Sequence, residues 1–219
     1  MNYIFNFLIF TFGTSIVSFL TVIAHEYPHI DPIRRSQCDS CQRTLHWFEI
    51  IPIWSYLIAK GNCKTCNKPI DKFYPLTEMV GGLFLLVASL THQNLTFVTS
   101  LFTVLTLLAF SDHFFGYVYL SSYLLFVPII ILNIQHLYFI PALIVYTLLM
   151  LLNYLYEGIG SGDIEILTIL AILVGFDSIL KIILLACFLC LVNFYLTYNS
   201  KFRFIPYITI STAIILILR

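Results

Sequence analysis

Eight apolar runs, separated by short polar connections and one long polar segment, constrain what this chain can fold into more than any other feature. They lie at Ile4–Ala24, Pro75–Leu90, Leu95–Phe110, Leu120–Leu132, Leu137–Leu152, Ile164–Val174, Ile179–Leu196 and Phe204–Leu218. With 60% hydrophobic and only 10% charged residues among 219, and a mean hydropathy of +0.94, the chain falls outside the range of soluble domains and into that of polytopic membrane proteins. The expected fold is all-α, with about eight transmembrane helices. Several runs are shorter than the ~20 residues of a full span, so their helices must extend into flanking polar residues, or the bilayer must thin around them. The first run exceeds the ~7–15 residues of a signal-peptide core and no small-residue cleavage site follows it, so residues 1–24 are expected to form a retained first helix.

Charge is concentrated in the long polar segment, residues 25–74. Seven of the eleven Lys and Arg residues lie there: Arg34, Arg35, Arg43, Lys60, Lys64, Lys68 and Lys72. The positive-inside tendency places this segment in the cytoplasm. Threading the runs forward from it brings Asp112 and Asp163 to the cytoplasmic ends of their spans, together with Lys201 and Arg203; Lys181 alone among non-terminal basic residues disagrees. The remainder, 75–219, is expected to form one transmembrane core. No nucleic-acid partner is expected.

Four of the six cysteines form two C-x-x-C knuckles in the polar segment, Cys38-Asp39-Ser40-Cys41 and Cys63-Lys64-Thr65-Cys66, with 21 residues between them. Two such knuckles supply a closed tetrahedral set of thiolates, the pattern of a structural zinc site with no open position for a reacting water. A reducing cytosol also favours metal ligation over disulfides. His25, His29 and His46 are expected as solvated loop residues. The stretch Leu45–Leu57, rich in aromatics and interrupted by Pro52, is too short to span and suits the membrane–water interface, so membrane lipid is an expected partner. Cys187 and Cys190 sit in an apolar run and are expected as small core side chains.

Asp163 closes the sequence Gly160-Ser161-Gly162-Asp163 and begins an apolar segment, so it is placed at a helix N-terminus. Capping alone would account for the acid but not for Gly160 and Gly162, which can take backbone angles closed to other residues and leave space for an extended peptide. Asp112 follows the run Leu95–Phe110, and the 50 residues between the two acids accommodate an out-and-back pair of helices. Two carboxylates brought together at a low-dielectric boundary resist ionising simultaneously, which leaves one as base and the other as acid. An aspartic protease uses such a pair to activate water and protonate the leaving amine.

The chain resembles the type IV prepilin peptidases, members of the GxGD aspartic membrane proteases, and among them the smaller competence-associated Gram-positive kind. The resemblance is carried by Gly13–Leu20, Arg35–Cys41, Ile51–Tyr56, Gly61–Cys66, Tyr74-Pro75-Leu76-Thr77-Glu78, Asp112 and Gly160–Asp163, in this order along nearly the whole length. It implies a multi-pass enzyme of the bacterial cytoplasmic membrane. Such an enzyme removes the basic leader of type IV prepilins or prepilin-like proteins on the cytoplasmic side, between Gly and a hydrophobic residue such as Phe. On that analogy Asp112 and Asp163 are catalytic, and the metal of Cys38, Cys41, Cys63 and Cys66 is structural zinc. Many relatives also methylate the new N-terminus with S-adenosylmethionine, and Glu78 is a candidate for that activity or for substrate recognition.

Three departures from the family pattern bear on these roles. His25-Glu26-Tyr27-Pro28 stands where relatives often have an Arg, Gln42 where a Gly commonly follows the first knuckle, and Glu165 where a Lys commonly follows the catalytic acid. The first two leave the aspartate pair untouched and concern methyl transfer. Glu165 is expected to face away from Asp163, because two acids in one pocket would oppose each other's charge. Two other readings remain open: a related membrane protease with a non-pilin substrate, and a transporter or assembly scaffold whose intramembrane carboxylates bind protons or cations.

Overall fold

The structure is a computed structural model, and it describes residues 2–27, 35–38, 40–91, 94–156, 158–197 and 203–218. Of the residues singled out above, Pro28, His29, Arg34, Asp39 and Lys201 lie outside the described residues. The chain is all-helical, as the apolar runs require. The helices are α1 (Asn2–Glu26), α2 (Trp54–Ile58), α3 (Phe73–Leu90), α4 (Leu95–Phe115), α5 (Phe126–Leu132), α6 (Phe139–Tyr156), α7 (Ser161–Val174), α8 (Phe176–Thr197) and α9 (Ile205–Leu218). Among the described residues there is no strand, only the isolated bridges Gln37–Thr44 and Asn62–Pro69.

Each of the eight apolar runs becomes helix. Five helices, α1, α3, α4, α6 and α8, are long and apolar enough to cross a membrane. Leu120–Leu132 and α9 are shorter apolar helices. Between the knuckles the chain makes only the 3-10 turn Trp47–Glu49 and the single-turn α2, in agreement with a segment too interrupted to span. Trp47 and Trp54 of this stretch stand exposed.

Two compact units divide the chain at Met1–Leu95 and Thr96–Arg219. In the first unit α1 packs along α3 through glycine. A Cβ on Gly13 would lie 2.9 Å from the Gly81 carbonyl oxygen, and one on Gly81 would collide with Val17. One on Gly82 would stand 2.6 Å from the Thr14 methyl. Small residues let two membrane helices bring their backbones together, where dispersion and not water drives the contact. Gly13 of the sequence motif is therefore a packing residue.

In the second unit α6 packs on α7, α7 on α8 and α8 on α9. The core gathers Leu101, Leu105 and Leu108 of α4, Phe126 and Ile129 of α5, Ile166 and Leu170 of α7, Ile179 and Ile182 of α8 and Ile208 of α9. Thr209 of α9 donates to the Leu105 carbonyl at 3.2 Å, which sets α9 against α4. The expectation of core cysteines in α8 is corrected: Cys187 is exposed and Cys190 half-buried. Ile179, Ile182 and Ala186 form the inward stripe of α8, and Cys187 falls on its other, equally apolar side. A helix that is apolar all round does not reveal its inner face by composition.

Candidate functional sites

The two knuckles of the first unit are built alike. In the first, Cys38 N–H donates to Arg43 O at 2.9 Å and Gln42 N–H to Cys38 O at 2.8 Å. In the second, Cys63 N–H donates to Lys68 O at 2.9 Å and Asn67 N–H to Cys63 O at 3.0 Å. Both turns need a left-handed residue four positions after the first cysteine, supplied by Gln42 at φ +54° and Asn67 at φ +55°. Asn adopts this region at small cost; Gln does so less readily. The departure at Gln42 is thus a departure in backbone comfort, at a position suited to Gly.

The turns aim all four sulfurs at one point, and the Sγ atoms of Cys38, Cys41, Cys63 and Cys66 lie within 4.8 Å of one another. Four thiolates at a Zn–S distance of ~2.3 Å form a tetrahedron with edges of about 3.8 Å; the Cys38–Cys66 separation is 3.9 Å. The four cysteines could hold a metal ion. Backbone N–H groups of Cys66 and Thr65 point at the Cys63 sulfur and push its thiol down to about 6, toward the thiolate a metal requires. Glu49 anchors the cations around the cluster. It accepts from Arg43 at 3.0 Å and from His46 N–H at 3.0 Å, and lies 3.9 Å from Lys64, whose Nζ sits 4.7 Å from the Phe48 ring centre. His46 stacks on Phe48 and is not part of the sulfur cluster.

Glu78 lies on α3, only 9% exposed. Its Oε2 accepts the Ile53 N–H at 2.7 Å, and the Ser18 side chain of α1 lies beside the same carboxylate. Ile53 holds φ +62°, a strained conformation for a β-branched residue. Glu78 thereby ties the aromatic stretch before α2 to both α1 and α3. The sequence motif contains all three partners, but only the folded chain connects them.

The second unit brings Asp112 and Asp163 close enough for their charges to interact. Asp112 lies near the end of α4, which Gly116 terminates at φ +75° by donating its N–H to the Asp112 carbonyl at 2.8 Å. The Asp112 side chain is 7% exposed. The backbone N–H of Ile205, at the start of α9, and the positive charge of Arg203 lie near its carboxylate. The Oδ2 atom is buried without a hydrogen-bond partner among the described residues.

Asp163 occupies the first turn of α7, where its own N–H donates to the Gly160 carbonyl at 3.1 Å. Neither glycine uses a positive φ: Gly160 has φ −63° and Gly162 is helical. The expectation that they adopt angles closed to other residues is corrected, and space is the reason for both. A Cβ on Gly160 would stand 3.2 Å from Asp163 Oδ2, and one on Gly162 would stand 3.2 Å from the Tyr123 hydroxyl. Glu165 is exposed and, like Asp163, lies near enough to that same Tyr123 hydroxyl for its charge to act on it. Sequence reasoning missed Tyr123, which lies in the 3-10 turn Leu120–Leu125 and donates to the Gly162 carbonyl at 3.3 Å. No local pattern marks it, because its partner is 39 residues away.

Fold and sites define the class: a helical membrane protein with a four-cysteine knuckle pair in one unit and two interacting, largely buried aspartates in the other. The sequence profile of the bacterial peptidase A24 N-terminal domain matches residues 11–92. The chain is 37% identical over 82 residues to the prepilin leader peptidase/N-methyltransferase of Myxococcus xanthus, covering 36% of this chain and 24% of that protein. It is 41% identical over 75 residues to the protein of the same name from Bacillus subtilis, covering 33% and 30%. Its similarity to the Vibrio cholerae protein of that name is lower, 25% over 211 residues, but covers 88% of this chain and 81% of that one. The resemblance to the type IV prepilin peptidases is borne out by these matches. No solved structure is significantly similar.

Proposed function

We propose that the protein is an aspartic endopeptidase of the bacterial cytoplasmic membrane that removes the leader of prepilin-like proteins. The observation that carries this reading is the pair Asp112 and Asp163, in electrostatic contact at helix ends, with Asp112 Oδ2 buried and free to accept a hydrogen bond from water. One ionised carboxylate takes a proton from that water as its oxygen attacks the scissile carbonyl carbon. The other, protonated, supports the developing oxyanion, and the C–N bond breaks as the departing amine receives a proton. The site faces the cytoplasm in this reading, and the cut falls between Gly and a hydrophobic residue such as Phe. The similarity to proteins named prepilin leader peptidase/N-methyltransferase supports the substrate class, and it extends the proposal to methylation of the new N-terminus by S-adenosylmethionine. Competence or type IV pilus subunits are the proposed partners.

The four cysteines are proposed to hold zinc. Their sulfur spacing fits a tetrahedral four-thiolate shell, and a shell so filled has no position for substrate. The metal would fix the fold of the knuckles and take no part in cleavage. Glu78, already engaged by Ile53 and flanked by Ser18, is proposed to hold the polar segment in the form that meets leader or methyl donor.

The test is a purified-protein assay on a synthetic peptide with a basic leader ending at Gly-Phe. Wild-type protein is expected to cut once, at that bond, while Asp112→Asn and Asp163→Asn accumulate normally and lose at least about 100-fold in rate. An active single mutant would eliminate the pair as catalyst, and an intact peptide with wild type would eliminate the peptidase. Mass measurement of the product, with and without S-adenosylmethionine, separates cleavage from methylation.

A further inference from the structure

The turn that carries Asp163 is held by its own helical hydrogen bonds to the Gly160 carbonyl and, just before it, by Asn153, whose Oδ1 accepts the Ile159 N–H at 3.1 Å. Its N-cap, Gly160, has no side chain to bond the free amides of α7, and Gly162 contributes none either. A pair of glycines beside an acid would leave that acid's backbone mobile unless another element clamped it. Tyr123 reaches the turn from the 3-10 segment that follows α4. Its hydroxyl donates to the Gly162 carbonyl at 3.3 Å, immediately before Asp163, and Glu165 flanks the same hydroxyl from the next turn. The contact also explains Gly162. The position a Cβ would take is 3.2 Å from the Tyr123 oxygen, so the tyrosine and the missing side chain are complementary.

We propose that Tyr123 is a positioning residue of the active site: its hydroxyl clamps the Gly160–Asp163 turn and thereby fixes the Asp163 carboxylate toward Asp112. The role in cleavage rests on the peptidase reading above; the clamp itself does not. Tyrosine suits the task because its ring has only two side-chain torsions to freeze, and the segment that bears it is anchored by the buried Ser122 and Phe126. Tyr123 is not a catalytic residue in this proposal, because it acts on Asp163 through the backbone.

The consequence is a coupling between two residues 39 positions apart. Tyr123→Phe keeps the ring and removes the hydroxyl, so kcat on the leader peptide is expected to fall about 10-fold with KM held within about twofold, since a displaced catalytic group slows chemistry more than binding. Gly162→Ala in the native background is expected to cost a similar factor of about 10, because the methyl displaces Tyr123. In the Tyr123→Phe background the same Gly162→Ala change meets no oxygen, and its further cost is expected to be less than about threefold. An unaltered kcat in Tyr123→Phe, a change confined to KM, or multiplicative losses in the double mutant would each overturn the proposal. Hydrogen exchange of the 159–164 amides in the full-length detergent-solubilised protein gives a readout free of the reaction. Faster exchange in Tyr123→Phe supports the clamp and unchanged exchange overturns it. Faster exchange in a protein whose wild type leaves the peptide intact would retain the clamp and discard the peptidase.

Discussion

Gly160 lies so close to the Asp163 carboxylate that one methyl group decides whether the acid keeps its place. A Cβ would stand 3.2 Å from Oδ2, closer than ordinary van der Waals contact, and the carboxylate would have to rotate away. Gly160→Ala is therefore expected to lower kcat about 10- to 100-fold while leaving the melting temperature within a few degrees, measured by the leader-peptide assay and thermal unfolding. Gln42 presents the opposite case, a side chain where the backbone would accept none. Its φ of +54° strains a non-glycine residue, so Gln42→Gly is expected to stabilise the first knuckle by about 0.5–1 kcal/mol, read as slower metal release to a competing chelator. A faster release would show that Gln42 makes a compensating contact.

Helices α1 and α3 meet along Gly13, Gly81 and Gly82, with backbone against backbone. Replacing Gly81 by Val inserts an isopropyl group into space already occupied by Val17, an overpacking that costs about 1–3 kcal/mol. A lower melting temperature in detergent is the expected result, and an unchanged one would mean the helices separate without penalty. Among the turns, Glu49 gathers Arg43, Lys64 and the His46 amide. Hydrogen bonding to Arg43, then to His46 N–H, holds the Glu49 carboxyl below its ordinary value. Its stabilisation is therefore fully present above the unfolded carboxyl value of ~4.3 and is lost as pH falls through the lower folded value. Glu49→Gln removes that contribution, so the stability difference between mutant and wild type is expected to be largest near neutrality and to shrink on acidification below about pH 4. A difference independent of pH would show that the charge is not what matters.

At the scale of the molecule, one compact unit carries the thiolate cluster and the other carries the aspartates. Stripping the proposed zinc with a strong chelator is expected to expose residues 35–72 to protease while the helices of Thr96–Arg219 keep their helical signal, because a metal-bound knuckle pair with a small apolar core would depend on its ion. Loss of helix throughout would show that the metal supports the whole chain. The sequence by itself determined the helical membrane class, the convergence of four thiols and the place of Asp163 in the first turn of a helix, since each rests on local hydropathy, on the spacing within a knuckle or on a break in an apolar run. Only the tertiary structure decided that Asp112 comes near enough to Asp163 for their charges to interact, that Cys187 faces outward, that Glu78 holds the strained Ile53, and that the two glycines serve space and not backbone freedom. The physical reason is range: hydropathy and turn geometry are written into neighbouring residues, whereas a contact such as that between Tyr123 and Gly162 exists only after two segments 39 residues apart have been packed together.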